Sequence, residues 1–364
     1  MRRRFTGNKA FNIDINNYFT VVALEDNLNV YLSNNTCEYC IDGDGNWRPL
    51  SANTTTKTIS AGHTLSFRGN LTKTSLGYVN TFGISKKCNL KGNIMSMLFG
   101  DDAATNISLN GKNYAFYKLF YNCTNIIDTS ELKLPATTLA SNCYYGMFSG
   151  CSSLIAAPEL PATTLANDCY SFMFLDCASL TTAPELPATT LTDYCYDHMF
   201  SGCRSLISTP ILPATTLASY CYNSMFQNCT NLTTAPELPA TTLANDCYSF
   251  MFYNCTNLTT APELPATTLA DRCYYYMFYN CTSLTTAPEL PATILAEYCY
   301  YQMFYGCSNL NYIKMLATDI SASNCLTNWV QMVSSTGTFV KNPAMTSLPT
   351  GQSGIPSGWT VQNA

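Results

Sequence analysis

The string Leu-Pro-Ala-Thr-Thr-Leu starts at Leu134, Leu160, Leu186, Leu212, Leu238, Leu264 and Leu290, with Ile294 replacing the second Thr in the last copy; successive starts are 26 residues apart. Each copy runs on into Cys-Tyr-x-x-Met-Phe-x-x-Cys-x-x-Leu. This sets one line of cysteines at Cys143, Cys169, Cys195, Cys221, Cys247, Cys273 and Cys299 and a second at Cys151, Cys177, Cys203, Cys229, Cys255, Cys281 and Cys307. A unit of this length cannot bury its own apolar face. Stacked copies can, because each Leu, Met, Phe and Cys then lies against its equivalent in the next coil and one continuous core results. Seven such coils with caps, at the ~4.8 Å spacing of a parallel ladder, make a body about 40 Å long.

This order of residues resembles the BspA-like leucine-rich repeats, whose coils read roughly Leu-x-x-Ile-x-Ile-Pro-x-x-Val-x-x-Ile-Gly-x-x-Ala-Phe-x-x-Cys-x-x-Leu. The coil from Leu232 to Leu258 follows it, and Phe252-Tyr-Asn-Cys-Thr-Asn-Leu258 carries the most specific part. The resemblance covers about residues 105–330. There are two departures. The family's usual coil is shorter, about 23 residues, and here an extra proline recurs at Pro158, Pro184, Pro210, Pro236, Pro262 and Pro288. Proline cannot donate to a ladder, so a short or irregular sheet is expected, with a second short strand around Thr-Thr-Leu. The resemblance implies an α/β repeat solenoid, leucine-rich-repeat-like, with short parallel strands and short helical turns. It also implies adhesion or ligand binding, since the family occurs on surface proteins of gut and oral bacteria and similar sequences occur in phages of Bacteroides-type hosts.

Residues 1–83 lack the repeat. Short alternating runs such as Tyr18-Phe-Thr-Val-Val-Ala-Leu, Leu28-Asn-Val-Tyr-Leu and His63-Thr-Leu-Ser-Phe predict an all-β, sandwich-like N-terminal domain. Asp42-Gly-Asp-Gly-Asn46 reads as a hairpin turn; as a calcium loop it would need Gly where Trp47 stands and Glu where Asn53 stands. Residues 84–126 are expected to form an N-terminal cap and first half-repeat, on the strength of Phe116-Tyr-Lys-Leu-Phe-Tyr-Asn-Cys123. Residues 127–313 hold the seven coils, and residues 314–364 a C-terminal half-repeat, Met315 to Cys325, with a cap.

Charged residues are 11 % of the chain and the net charge is -5, which argues against nucleic acid as a partner. Arg2, Arg3 and Arg4 make a run too short for a binding patch and read as a solvated tail. No apolar stretch reaches 18 residues, so no membrane insertion is expected. The polar N-terminus shows no signal peptide, which suits assembly into a virion or a trimmed export signal.

Sixteen of the 19 cysteines belong to the coil pattern once Cys123 and Cys325 are included. Among Leu, Met and Phe they read as buried free thiols rather than bridges. Cys37-x-x-Cys40 with Cys88 lacks a fourth ligand for zinc, and only His63 and His198 are present to activate a nucleophile. Glu159, Glu185, Glu237, Glu263 and Glu289 share one coil position, but Ile211 takes it in another coil, so they read as a surface row. No catalytic residue, metal or cofactor is expected, and the chain reads as a non-enzyme.

The contrast between copies is more informative. The two residues before the first Cys, and the two after its Tyr, change at nearly every coil and favour Tyr, Ser, Asn and Asp. Antibody contact surfaces use the same palette, with Tyr giving rigid amphipathic area and small polar residues giving adaptable hydrogen bonds. The candidate ligand-binding residues are therefore Tyr145, Phe172, Tyr194, His198, Tyr220, Phe250, Arg272, Tyr275, Tyr276, Tyr298 and Tyr301. The expected protein presents this face to a cell-surface glycan or protein. Its N-terminal domain would attach it to a virion, as a phage-tail receptor-binding component, or to another surface assembly, with homo-oligomers a further option. A secreted bacterial adhesin and a structural virion spacer are the alternatives.

Overall fold

The structure is a computed structural model that describes residues 13–69, 71 and 82–364; Arg2, Arg3 and Arg4 lie outside the described residues. Eight strands precede the coils: β1 Phe19–Ala23, β2 Val30–Leu32, β3 Cys37–Ile41, β4 Arg48–Leu50, β5 Thr54–Thr55, β6 Thr64–Gly69, β7 Phe82–Ile84 and β8 Cys88–Asn93. With β9, Ile126–Lys133, they form a six-stranded sheet in the order β4-β3-β6-β1-β8-β9 and a three-stranded sheet, β5-β2-β7. Phe82 on the smaller sheet meets Phe19 and Phe67 on the larger edge-on, at 5.6 and 5.3 Å. The Asp42–Asn46 segment is the turn joining antiparallel β3 and β4, and the Asp44 carboxylate closes it by accepting from the Asn46 amide at 3.0 Å and from Arg48 at 2.6 Å.

The sheet does not stop at residue 83. Strand β8 pairs antiparallel with β1 and parallel with β9, and Asp128 of β9 bridges to Ala156 in the first coil. Aromatics of the N-terminal sheets and of the coils thus share one hydrophobic core. Gly92 makes the junction possible, since at φ +75° a Cβ there would lie 1.9 Å from the Tyr18 carbonyl oxygen and 2.9 Å from that of Ile15. Backbone cannot yield as a side chain can. Gly92→Ala is therefore expected to cost about 3 kcal/mol or more, seen in hydrogen exchange as lost protection across β1, β6 and β8 while the middle coils keep theirs. Unchanged exchange in β1 would refute this role.

In the coils, the expected strands and helical turns take another form. On one side the recurring prolines leave only isolated parallel bridges, such as Ala156↔Thr182, Thr182↔Ser208 and Thr234↔Thr260, with a second line at Thr138↔Thr164 and Thr216↔Thr242. Among the described residues no helix follows Thr105. In place of a helical turn, each coil has a run of overlapping turns. In the first, Cys143, Tyr145, Met147, Ser149 and Cys151 donate their amides three residues back, to Ala140, Asn142, Tyr144, Gly146 and Phe148. The alternate amides, of Asn142, Tyr144, Gly146, Phe148 and Gly150, donate across to Asn167, Cys169, Ser171, Met173 and Leu175 of the next coil at 2.7–3.1 Å.

A left-handed residue at every fourth position sustains this ladder, as at Asn142, Gly146 and Gly150 (φ 57°, 57° and 77°). These residues prevent the right-handed helix that the repeat family suggests. They also produce a rhythm of two residues in and two out: Cys-Tyr inward, the next pair outward, Met-Phe inward. The inward tyrosines, from Tyr144 to Tyr300, stack coil on coil at 5.6–6.0 Å, and the phenylalanines, from Phe148 to Phe304, at 5.5–5.9 Å.

All 19 cysteines are buried free thiols. Those of the second line donate to the carbonyl of the Phe in the preceding coil, for example Cys177 to Phe148 at 3.2 Å and Cys307 to Phe278 at 3.0 Å. At the far end the coils pass into a parallel sheet of β10 Tyr312–Met315, β11 Thr338–Lys341 and β12 Thr360–Asn363. Trp329 closes the core there, lying 6.3 Å from Tyr300 and 6.1 Å from Phe304, with its indole N–H on the Gly354 carbonyl at 2.9 Å.

Candidate binding face

The outward pairs of the turn ladder form one side of the array, and all eleven candidate residues lie on it. Each is exposed or half-buried. Three left-handed rows run along this side, and their occupants differ. The row before the second cysteine line holds Asn122, Gly150, Asp176, Gly202, Asn228, Asn254, Asn280 and Gly306, at φ 56–77°. Those are the residue types that tolerate this conformation. Their amides also link coils, Asn254 to Asn228 and Asn280 to Asn254, each at 3.0 Å.

The other two rows break that rule. Tyr194, Tyr220, Arg272 and Tyr298 occupy one and Phe172, His198, Phe250, Tyr276 and Gln302 the other, all at φ 49–59°. A bulky side chain in this region costs about 1–2 kcal/mol, and Asn142, Asp168 and Gly146 show that the fold accepts cheaper residues in the same rows. Tyr145, Tyr275 and Tyr301 stand beside these rows and are not left-handed.

The structure gathers the candidates into three groups. Tyr145, Phe172 and His198 form a short stack, at 5.2 and 4.7 Å, which Tyr117 extends at 4.9 Å. Tyr194 stacks on Tyr220 at 4.6 Å. Phe250, Tyr275, Tyr276, Tyr298 and Tyr301 make a continuous patch over three coils, and the Arg272 guanidinium lies 5.1 Å over the Tyr298 ring.

Not every variable position faces outward. Ser171, Asp197, Ser224, Asp246 and Ser249 are buried and tie coils together. Asp197 accepts from His198 Nδ1 at 2.8 Å and from the Asn223 amide at 2.7 Å, and Ser249 donates to the Arg272 carbonyl at 2.7 Å. Burial raises the Asp246 carboxyl above its ordinary range, against hydrogen bonds from Tyr220 and Ser249. Burial likewise raises the Asp168 carboxyl and pushes the Tyr145 phenol up to about 12.

The variable-pair reading missed one aromatic row. Tyr253, Tyr279 and Tyr305 stack at 4.6 and 4.7 Å beside the large patch. They occupy the first x of Phe-x-x-Cys, a segment used to define the repeat rather than searched for variation, although Ser149, Leu175, Ser201 and Gln227 hold that place in earlier coils. Elsewhere, His63 pairs with Asp42 at 2.6 Å in the N-terminal sheets, apart from His198. The glutamate row is exposed, as is Ile211. An open groove of about 590 Å³ on the bridge side is lined by Ile155, Pro158, Pro161, Pro184 and Pro187, with Glu159 and Glu185 its ionisable groups. Its polar groups do not converge as those of a small-molecule site would.

A family model described as BspA type leucine rich repeat region matches residues 92–259 and 222–329, in 6 copies. The match spans more than half of the 364 residues. No curated protein and no solved structure matches the chain.

Proposed function

Because the chain belongs to the BspA-type leucine-rich repeat family, we propose that it is a non-enzymatic binding protein whose turn-ladder face meets a glycan or protein on a cell surface. One observation carries this reading: in the seven coils nine aromatic or long side chains sit at left-handed positions where Asn or Gly would stabilise the fold. Conformational cost kept at surface positions, where it contributes nothing to the core, points to use by a partner. The N-terminal sheets, rigidly joined to the first coil through β8 and β9, suit attachment to a larger assembly. We place that assembly at a virion or cell surface, with a phage-tail receptor-binding component as the favoured setting. Among the described residues no helix is long and apolar enough to cross a membrane.

The test is adherence of the labelled chain to a panel of bacterial cells. Replacing Tyr275, Tyr276, Tyr298 and Tyr301 together by Ala is expected to lower adherence more than about tenfold, as removal of an aromatic hot spot does, with the far-ultraviolet spectrum unchanged. Equal adherence of the variant, or none by the parent chain, would favour a structural spacer.

A further inference from the structure

We propose that the patch on the fifth to seventh coils is a saccharide-binding corner that takes uncharged pyranose units, an inference that rests on the binding-protein reading above. Its walls are two aromatic stacks. Phe250 lies on Tyr276 at 4.9 Å with planes 6° apart, and Tyr275 lies on Tyr301 at 5.0 Å with planes 22° apart. Tyr275 stands at 76° to Phe250 and at 77° to Tyr276, only 4.4 Å from the latter. Tyr301, the other ring of the second stack, stands at 55° to Tyr276, so the two stacks cross at a steep angle.

Near-parallel rings touch at about 3.5–4.0 Å, less than these centroid separations, so the rings in each stack are slid past one another. Part of each face therefore stays uncovered by its stacking partner. The phenolic hydroxyls of Tyr275, Tyr276 and Tyr301 are carried by rings packed at 4.4, 5.0 and 5.5 Å from one another, so polar groups and apolar faces share the corner. Apolar ring faces bordered by hydroxyls match the two-sided chemistry of a pyranose, whose C–H face stacks on the electron-rich ring while its rim hydroxyls donate and accept.

Charge narrows the ligand further. Phe250, Tyr253, Tyr275, Tyr276, Tyr279 and Tyr301 are all uncharged at neutral pH, and the one guanidinium nearby, Arg272, is engaged over Tyr298. A cationic ligand would want a carboxylate among these rings, whereas Asp271 and Glu297 flank Arg272 and Tyr298 outside the six, and a polyanion would want more than a single arginine. Phe250 and Tyr276 are also two of the left-handed residues, both at φ 56°, so the backbone cost falls on the walls themselves.

The experiment is affinity electrophoresis of the full chain through gels containing α-glucan, β-glucan, mannan, galactan or xylan, with polygalacturonate and chitosan as charged comparators. At least one neutral polysaccharide is expected to retard the chain. Tyr275→Ala with Tyr301→Ala should weaken that retardation at least about tenfold, and Tyr275→Phe much less, because the ring face remains. Glu237→Gln, in the exposed glutamate row away from that face, should change nothing. Equal retardation of the double variant, or retardation by the charged polymers alone, would overturn the assignment. Periodate treatment of target cells separates the two claims: adherence that survives it overturns the saccharide corner and leaves the binding-protein reading standing. A chain that neither adheres nor is retarded overturns both.

Discussion

Above about pH 9, with reductant present, the array is expected to unfold cooperatively within roughly one pH unit, releasing on the order of ten protons. The cause is the burial of the fourteen ladder thiols. Burial pushes the thiols of Cys143, Cys247, Cys255 and Cys307 up to about 12, from an ordinary value of 9.0, and raises the others of both lines in the same direction. In the unfolded chain they ionise near their ordinary value. Between the ordinary value and the raised one the unfolded state binds fewer protons than the folded one, so stability is fully present below pH 9 and falls as pH rises, until the folded thiols themselves ionise. One unit above the ordinary value each thiol has withdrawn about 1.4 kcal/mol. Fourteen together exceed the ~5–15 kcal/mol that holds a typical domain. The seven core tyrosines, also raised by burial, add to the loss above pH 10. Circular dichroism and thiolate absorbance followed together against pH should change in one step. A thiolate signal that climbs gradually while the dichroism stays native to about pH 11 would sink the argument.

The second large effect is expected at the array's end. Trp329 stands where the coil pattern would place the next Met, and its one ring system covers the last members of both the tyrosine and the phenylalanine ladders. Each coil of such an array is stabilised chiefly by its neighbours, so the terminal cover sets how far the end frays. Trp329→Ala should cost about 3–5 kcal/mol, concentrated in the last two coils. Hydrogen exchange would show faster amides around Tyr300, Phe304 and Cys307, with β1 and β6 unaffected. Uniform acceleration along the whole chain would mean instead that the array melts as a single unit.

How far the fold could be read from residues alone depends on which ones carry it. The inward ladders were legible because Cys, Tyr, Met, Phe and Leu return every 26 residues with almost no variation, and identical neighbours in stacked coils are what a shared core demands. The turn ladder was not. Its signature is present at Asn122, Asp176, Asn228, Asn254 and Asn280, where the side chains favour the left-handed region. The companion rows, however, hold Tyr, Phe, His and Arg, which ordinarily argue against it. The rhythm of two in and two out also fits neither the 3.6-residue period of a helix nor the two-residue period of a strand. The candidate face was legible as contrast between copies. Its division between outward rings and buried Ser and Asp was not, because a small polar residue can either fill a contact surface or bond the next coil. The join between β8 and β9 was hidden for another reason: a parallel pairing across 32 intervening residues leaves no periodic trace.

Equivalent points on successive coils are separated by the local step of the array. Ring centroids in successive coils lie 5.5–5.9 Å apart at the buried phenylalanines but 4.6–4.7 Å apart at the half-buried tyrosines 253, 279 and 305. The Tyr-rich side thus carries rings set closer together than those of the core, and a partner laid along it meets several coils at once.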